Sequence, residues 1–273
     1  MMKTKLINGL VEIYDKYDIF LIDLWGVIHN GVKPYPGAME VLKNLKKKSK
    51  KFIFISNAPR PSKNVKDFLV QLKIDKIFLR NIFTSGEAAL QALKKNTYGK
   101  KFFHLGPKRD EDLISGFEKN NVSINNCDFI LCTGLFESQE NDLNYYKKFL
   151  KNYIKIKMVC TNPDLIVHRG SKKEYCAGSI AEIFKSLGGE VIYFGKPYPE
   201  IYNFFVKKNK SILAIGDNIR TDIKGANNMK FDSLFIIQGI HNNEFNNISE
   251  EKYDKILEKY NVKTNYYQKK LSW

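Results

Sequence analysis

Short apolar runs alternate along the chain with segments that carry apolar residues at helical spacing. One run, Ile19–Ile22, ends at Asp23. A second run, Phe52–Ile55, ends at Ser56, and a helix is predicted to begin between the two runs, near Pro36. Near-continuous apolar runs are typical of strands that are buried on both faces of a parallel sheet. Their alternation with helical patterns indicates βαβ units.

The same pattern continues in two further groups of runs. Near the C-terminus, three runs predict more strands of the first sheet: Val191–Phe194, Ile212–Ile215 and Leu234–Ile237. The middle of the chain has its own strand candidates: Lys101–Leu105, Phe129–Cys132 and Lys157–Cys160. The sequence therefore predicts an α/β protein, in which a second α/β unit is inserted into a Rossmann-like core built on a parallel sheet.

The boundaries of the inserted unit are predicted near Gly86 and Gly178. Residues 1–86 and 179–273 then form the core domain, and residues 87–178 form the inserted cap domain. The tail from about Asn242 is rich in lysine and asparagine, and we expect it to form a surface helix followed by a loose end.

The composition is that of an ordinary globular protein, with 273 residues, 43% of them hydrophobic and 27% charged. No stretch approaches the roughly 18 consecutive apolar residues of a membrane span. The first twenty residues also lack the pattern of a signal peptide. We therefore expect a cytoplasmic protein with no membrane partner. The four cysteines form no C-x-x-C pair, which favours buried, reduced thiols over metal binding.

The formal net charge of +16 is typical of proteins that bind nucleic acid or attract anionic substrates. The lysines are nevertheless scattered. The densest run, within residues 46–51, follows an apolar helical stripe, where lysines favour the C-terminal dipole of the helix. No recognised nucleic-acid module accompanies them. We therefore expect no specific nucleic-acid partner, and whether the charge has a function stays open.

Polar residues follow four of the predicted strands, at the edge where open parallel sheets bind ligands. Asp23 offers a carboxylate for nucleophilic attack or metal binding, and Gly26 permits a tight turn beside it. Ser56 and Asn57 follow the second strand and can donate hydrogen bonds to phosphate oxygens. The other two ends are the Gly-Lys-Pro segment at 195–197 and the Gly-Asp-Asn-Ile-Arg-Thr-Asp segment at 216–222.

These last two segments complete a charge pattern that suits phosphate and Mg²⁺. Lys196 places an ammonium where it can neutralise a bound dianion. Asp217 and Asp222 are loop carboxylates, the ligand type that Mg²⁺ prefers. Each segment alone also fits a helix cap or a turn. Because all four follow apolar runs, their combination favours a phosphate and magnesium site.

In this order, the four segments resemble the four motifs of the haloacid dehalogenase (HAD) superfamily. The similarity is closest to its class IIA branch of sugar and nucleotide phosphatases, which carry a large inserted α/β cap of the C2 type. The residues that carry the resemblance are Asp23-Leu-Trp-Gly-Val27, Pro36-Gly37-Ala38, Ser56-Asn57, Thr161-Asn162-Pro163-Asp164, Gly178-Ser179, Gly195-Lys196-Pro197, Gly216-Asp217-Asn218 and Thr221-Asp222-Ile223. They cover nearly the whole chain.

The resemblance implies a Mg²⁺-dependent phosphatase that acts on a small phosphorylated metabolite. Asp23 would attack phosphorus and form an aspartyl-phosphate. Mg²⁺ would be held by Asp23, the backbone carbonyl of Trp25 and Asp217. Phosphoryl transfer depends mostly on positioning and charge neutralisation, which a metal ion and a lysine supply together.

The same resemblance assigns roles to the other motif residues. Lys196 and Ser56 would balance the phosphate charge, and Asp222 would orient Lys196 or a metal-bound water. The residues implied to line the phosphate pocket are Trp25, Gly26 and Asn57.

The cap is implied to select the substrate. Four residues follow the last strand candidate of the cap and are predicted to face the core site: Asn162, Asp164, His168 and Arg169. Asn162, Asp164 and Arg169 are predicted to bind substrate, with Arg169 able to bind an anionic group through two hydrogen bonds. A solvated surface loop is the alternative for this segment. His104 ends a cap strand and is expected to be a structural histidine. Caps of this type often mediate dimerisation, which implies a homodimer through the cap.

The sequence departs from the phosphatase pattern at Trp25. The family has a second Asp there, which protonates the leaving alcohol and later activates water. An indole does not titrate near neutral pH, and general acid–base catalysis contributes about 10²–10⁴-fold.

Three interpretations of Trp25 stay open. The leaving group needs little protonation, as in an acyl phosphate. His29 substitutes as the acid and base, since histidine has a suitable pKa, unless it is a loop histidine with no role. In the third interpretation, the protein binds phosphorylated ligands without efficient turnover.

Overall fold

The computed structural model describes residues 4–202, 210–245 and 248–273. The strands are β1 (Lys5–Leu6), β2 (Ile19–Ile22), β3 (Lys51–Ser56), β4 (Ile82–Thr84), β5 (Phe102–Leu105), β6 (Phe129–Cys132), β7 (Lys157–Cys160), β8 (Ile166–Arg169), β9 (Lys172–Tyr175), β10 (Val191–Tyr193), β11 (Ile212–Gly216), β12 (Asp232–Ile236) and β13 (Tyr266–Gln268). The α-helices are α1 (Pro36–Lys47), α2 (Ser62–Gln71), α3 (Ser85–Lys94), α4 (Leu143–Leu150), α5 (Ala177–Ser186), α6 (Lys224–Asn228), α7 (Asn242–Phe245) and α8 (Glu250–Lys259).

The first sheet has seven parallel strands in the order β1-β13-β12-β11-β2-β3-β4. Every residue of β2 is buried, as its unbroken apolar sequence predicts. β2 lies between β11 and β3, with Ile22 in register with Ile215 and Phe54. The carboxyl ends of these three central strands therefore meet at one edge, and the site is built there.

The second sheet has four parallel strands in the order β10-β7-β6-β5. Helices α4 and α5 pack on it around buried residues such as Tyr146 and Phe184. Another apolar cluster joins the two sheets, with Leu21 and Ile53 from the first and Phe129 from the second. The predicted α/β class, with a second α/β unit inserted into a parallel-sheet core, is confirmed.

The predicted position of one strand and of the second domain boundary is wrong. The run beginning at Val191 was assigned to the first sheet, but β10 pairs in parallel with β7 of the second sheet. Helix α5 also packs on the second sheet, so the chain returns to the first sheet after Tyr193 and not near Gly178. A buried apolar run indicates a strand without indicating its partner, because pairing depends on contacts distant in sequence.

The C-terminal tail differs from its prediction as well. Helices α7 and α8 are present, but the expected loose end contains β13, which inserts between β12 and β1 of the first sheet. Leu271, beyond this strand, is only 4% exposed. The tail therefore belongs to the core. In the ranges that the structure describes, no helix is long and apolar enough to cross a membrane.

Candidate active site

A buried chain of charges lies at the carboxyl ends of β2 and β11. The Lys196 Nζ donates to Asp23 Oδ1 at 2.5 Å and to Asp222 Oδ1 at 2.6 Å. All three side chains are at least nine-tenths buried. Hydrogen bonds to charged groups in such surroundings are strong and directional, so this ammonium fixes the two carboxylates relative to each other.

Asp222 is held from both sides. While its Oδ1 accepts from Lys196, its Oδ2 accepts the main-chain N–H groups of Asp217 at 3.2 Å and Asn218 at 3.0 Å. These donors belong to the loop that leaves β11 and enters a π-helical turn at Ile219–Ile223. Both oxygens of Asp222 are therefore committed to positioning Lys196 and the loop.

The loop that carries Lys196 is fixed by Asn57. The Asn57 Oδ1 accepts the Lys196 N–H at 2.7 Å, and the Asn57 Nδ2 donates to the Lys196 carbonyl at 3.1 Å. Gly195 has φ +115°, a conformation that side chains other than glycine rarely adopt. The Asn57 side chain therefore holds the main chain of Lys196 in place. Its role in the phosphate pocket stays a prediction.

Gly26 lets the loop after β2 approach Asp217. Its φ is +85°, and a Cβ atom at this position would collide with the carboxylate of Asp217. The Oδ2 of Asp217 accepts the Ile240 N–H at 2.8 Å. Gly26 therefore allows both the tight turn after β2 and the close approach of this loop to Asp217.

Burial and charge shift the titration of these groups. Burial raises the pKa of Asp23 to about 8, against a lowering by the Lys196 ammonium. Burial, Asp23 and Asp222 raise the pKa of Asp217 well above its ordinary value. Burial alone would lower the pKa of Lys196, but the carboxylates of Asp222 and Asp23 raise it above its usual range, so it stays charged. The site has more carboxylates than cations, and a bound cation would reduce the repulsion between the carboxylates.

The acidic groups have the chemistry of a divalent-cation site. Asp23, Asp217 and Asp222 each bring one carboxylate oxygen within 4.8 Å of the others. Asp222 uses both oxygens in the hydrogen bonds above, whereas Asp23 and Asp217 each use one. Asp23 and Asp217 therefore each retain an oxygen for a cation, and a set of oxygen donors suits a hard ion such as Mg²⁺.

Three other predicted residues border the same charges. Ser56 accepts the Ala58 N–H at 3.2 Å, which leaves its hydroxyl proton free to donate. Asp164 accepts from Asn218 Nδ2 at 3.1 Å, and burial raises its pKa to about 6. Asn162 accepts the Asp164 N–H at 3.0 Å. Asn162 therefore shapes the turn that presents Asp164.

Trp25 turns its side chain toward the hairpin formed by β8 and β9. Its Nε1–H donates to the His168 carbonyl at 2.8 Å. The guanidinium of Arg169 lies 5.1 Å from the ring centroid, and Phe68 is stacked on the ring at an angle of 9°. Trp25 therefore connects the core loop to the hairpin through a hydrogen bond and a cation–π contact.

His29 and His104 are both buried. His29 is 2% exposed, its Nδ1 accepts the Gly31 N–H at 2.9 Å, and burial lowers its pKa to about 4. His29 is therefore neutral at physiological pH and holds its own loop, which argues against the acid–base alternative. His104 pairs with the Thr133 hydroxyl at 2.9 Å, as expected of a structural histidine.

A cavity of about 500 Å³ joins these residues to the second sheet and the hairpin. Its lining includes all the predicted site residues: Asp23, Trp25, Gly26, Ser56, Asn57, Asn162, Asp164, Arg169, Lys196, Asp217 and Asp222. Arg169 also donates from Nε to Glu174 at 3.2 Å. Asn162, Asp164 and Arg169 therefore line the cavity, while the Arg169 side chain is still 38% exposed.

Sequence reasoning missed several lining residues on the cap side: Arg109, Asp110, Thr133, Lys172 and Glu174. The rule that polar residues follow parallel strands could have found the first three, because they come after β5 and β6. Lys172 and Glu174 lie on a short polar hairpin, and the sequence has no comparable signal for their position.

Comparison with known proteins finds hydrolases similar to this chain. The family described as haloacid dehalogenase-like hydrolase matches residues 20–118, and a second HAD hydrolase-like family matches residues 193–261. The 5'-nucleotidase YutF of Bacillus subtilis is 25% identical over 84% of this chain and 90% of its own. The ribonucleotide monophosphatase NagD of Escherichia coli is 26% identical over 81% of this chain and 87% of its own.

A solved structure has the same fold over the full length. A haloacid dehalogenase-like hydrolase from Brucella suis superposes with a TM-score of 0.84 at 26% identity, covering 97% of this chain and 100% of that one. Over most of its length the chain is therefore similar to HAD-type hydrolases. A 4-nitrophenylphosphatase of Schizosaccharomyces pombe is also similar, at 25% identity over 85% of this chain and 88% of its own.

Proposed function

We propose that this protein is a Mg²⁺-dependent phosphatase of small phosphorylated metabolites that works through an aspartyl-phosphate at Asp23. The observation that carries the proposal is the buried Asp23–Lys196–Asp222 array, which opens on a cavity of about 500 Å³. A cavity of this size fits a small ligand. The relatives named as a nucleotidase and a nucleotide monophosphatase support the same substrate class.

The chain's own residues divide the work. An oxygen of Asp23 attacks phosphorus, and Asp222 keeps the Lys196 ammonium beside Asp23, where it neutralises the charge of the phosphate. Ser56 donates its hydroxyl proton to a phosphate oxygen. Asp23 and Asp217, with the Trp25 carbonyl, are the proposed ligands of Mg²⁺. When bound there, Mg²⁺ supplies charge neutralisation to the transferring group.

The proposed substrate-binding residues lie on the cap side of the cavity. Arg169 faces Trp25 and keeps its terminal amino groups for an anionic part of the substrate. Asp164 and Asn162 shape the wall next to Lys196. We propose that the core binds the phosphate and that the cap binds the leaving group.

A catalytically impaired binding protein is the second candidate, and Trp25 is the observation that favours it. Trp25 has no proton to transfer near neutral pH. Loss of function tends to remove several catalytic residues, yet Asp23, Lys196 and Asp222 are present and correctly paired. This pairing favours the enzyme.

Turnover of a panel of phosphomonoesters and acyl phosphates with Mg²⁺ separates the two candidates. We expect hydrolysis by the wild type and a loss of at least about 10³-fold in Asp23→Asn, because the nucleophile is removed. Trp25→Asp is expected to raise the hydrolysis of ordinary alkyl phosphates. No turnover of any substrate, with binding of a phosphate ligand intact, would support the binding protein instead.

Cytoplasmic location and a homodimer through the cap are also proposed. Both rest on the sequence alone. Sedimentation equilibrium of the full chain tests the second: a dimer that a charged substitution on the cap surface dissociates would support it, and a monomer at all concentrations would contradict it.

A further inference from the structure

The leaving group of a bound phosphate would extend into the cap side of the cavity. Asp23, Ser56 and Lys196 occupy the core end of the cavity, and the cap-side residues line the rest of it. A group attached to phosphorus, on the side away from Asp23, therefore points toward the hairpin of β8 and β9. The side chains on that wall decide whether it departs as a neutral molecule or as an anion.

The residues around Trp25 provide no proton for it. The indole N–H is already bonded to the His168 carbonyl. The Nδ1 of His29 accepts from Gly31, and the ring is enclosed by Trp25 and Phe68. His168 contacts Trp25 through its main-chain carbonyl, and its side chain is exposed.

The same wall is rich in fixed positive charge. Glu174 is only 14% exposed, and three cations surround its carboxylate: Arg169 at 3.2 Å, Lys172 at 3.9 Å and Arg109 at 4.0 Å. These four residues are called the Glu174 cluster. Lys172 also lies 3.7 Å from Glu140, and the Asp110 carboxyl interacts with Arg109. The Arg169 guanidinium lines the cavity beside the Trp25 ring and is the cation on which the inference depends. Positive charge in a partly enclosed cavity attracts an anion more strongly than it does in open solvent.

We propose that the site is specific for phosphates whose leaving group departs as an anion, acyl phosphates in particular, and that the Glu174 cluster receives the departing carboxylate. This inference rests on the proposed phosphatase function. It assigns to Arg169 the task of stabilising developing negative charge, in place of the proton transfer that residue 25 does not perform.

The reaction balances without a proton donor. An oxygen of Asp23 bonds to phosphorus, the bond from phosphorus to the acyl oxygen breaks, and its electron pair leaves on the carboxylate. Water then adds to the aspartyl-phosphate and the bond to Asp23 breaks. One proton of the water stays on the phosphate product, and the other goes to a phosphate oxygen or to solvent.

The test is the dependence of kcat/KM on the leaving group. Acetyl phosphate, a graded series of substituted phenyl phosphates and glycerol phosphate are compared with Mg²⁺, and Asp23→Asn supplies the background of spontaneous hydrolysis. We expect kcat/KM to fall steeply as the leaving group becomes more basic, by at least about 100-fold from acetyl phosphate to glycerol phosphate, because neither Trp25 nor His29 supplies a proton to it. A flat dependence would overturn the proposal.

Variants identify the receiving group. Arg169→Gln is expected to lower kcat/KM for acetyl phosphate by on the order of 10-fold and to steepen the dependence on the leaving group, because one charge-assisted contact is lost. Lys185→Gln is the matched control, since Lys185 pairs with Glu182 on α5 and does not line the cavity. Equal effects of the two substitutions would contradict the role of the cluster.

Two further substitutions guard against a hidden proton donor. His168→Asn and Asp110→Asn each remove a titratable group that lines the cavity, and neither is expected to steepen the dependence on the leaving group. If either does, a general acid is present and the inference fails, while the phosphatase assignment stands. If no substrate is turned over at all, both the assignment and the inference fail.

Discussion

A bound cation would stabilise the charged form of Asp217, because burial and two neighbouring carboxylates raise the pKa of this group well above its ordinary value. A group whose pKa is raised on folding stabilises the protein below its unfolded pKa and loses that contribution as the pH rises through the folded pKa. In chelator, the wild type should therefore lose stability as the pH rises from the ordinary aspartate pKa toward neutrality.

Asp217→Asn removes this cost. We expect the variant to melt a few degrees above the wild type in chelator at neutral pH, since about 1 kcal/mol corresponds to roughly 2–4 °C at this size. Mg²⁺ should raise the melting temperature of the wild type and not that of the variant. Asp67→Asn, at an exposed position on α2, is the control. A variant less stable than the wild type in chelator would contradict the prediction.

Asn57 tests how the position of Lys196 is fixed. Asn57→Ala removes two hydrogen bonds to the main chain of Lys196, so we expect a destabilisation of about 2 kcal/mol and a fall in kcat larger than the change in KM. Urea unfolding and steady-state kinetics measure the two effects. Asn64→Ala, which removes an exposed bond to Asp112, should leave kcat unchanged, and an equal loss in both variants would refute this role of Asn57.

At the scale of single residues, the sequence identifies the reacting groups better than it identifies their partners. Asp23, Lys196 and Asp222 were predictable because each follows an apolar run or a glycine turn, where sheet geometry collects ligands. The direction of the Trp25 side chain was not predictable. It depends on the carbonyl of His168, which lies 143 residues away in the sequence.

Among the elements, the hairpin of β8 and β9 is joined to the loop after β2 by two hydrogen bonds, from Trp25 to the His168 carbonyl and from the Gly170 N–H to the Asn30 carbonyl at 3.0 Å. Trp25→Phe keeps a ring against Phe68 but removes the hydrogen bond to the His168 carbonyl. We expect faster amide hydrogen exchange in residues 166–175 and a loss of about 1 kcal/mol of stability.

Trp273→Phe is the matched control for this substitution, because Trp273 packs against Tyr14, a residue of the core. It should leave exchange in the hairpin unchanged. Unaltered exchange in residues 166–175 of Trp25→Phe would show that the hairpin is held by its other contacts.

The elements that the sequence misplaced are those whose identity depends on distant pairing. The run at Val191 has the composition of any buried strand, and its partner β7 decides the sheet to which it belongs. The strand β13 has three residues and lies in a polar tail, so neither length nor periodicity distinguishes it. The start of α1 and the apolar run of β2 were predicted at their observed positions.

For the whole molecule, the charge of +16 is the property that local structure explains least. The lysines at residues 46 and 47 form the last turn of α1, as their position after an apolar stripe predicts. We expect no measurable binding to random-sequence DNA, as followed by fluorescence anisotropy at low and physiological salt. Tight binding that weakens steeply with salt would instead indicate a nucleic-acid partner.

Covalent labelling of Asp23 tests whether this residue is the nucleophile. The enzyme is mixed with acetyl phosphate and Mg²⁺, quenched in acid, digested and mapped by mass spectrometry. Because Trp25 supplies no base to activate water, hydrolysis of the intermediate should be slow enough for it to accumulate. The account predicts phosphate on the peptide that contains Asp23 and none in Asp23→Asn. Turnover that persists in Asp23→Asn, or phosphate on any other residue, would contradict it.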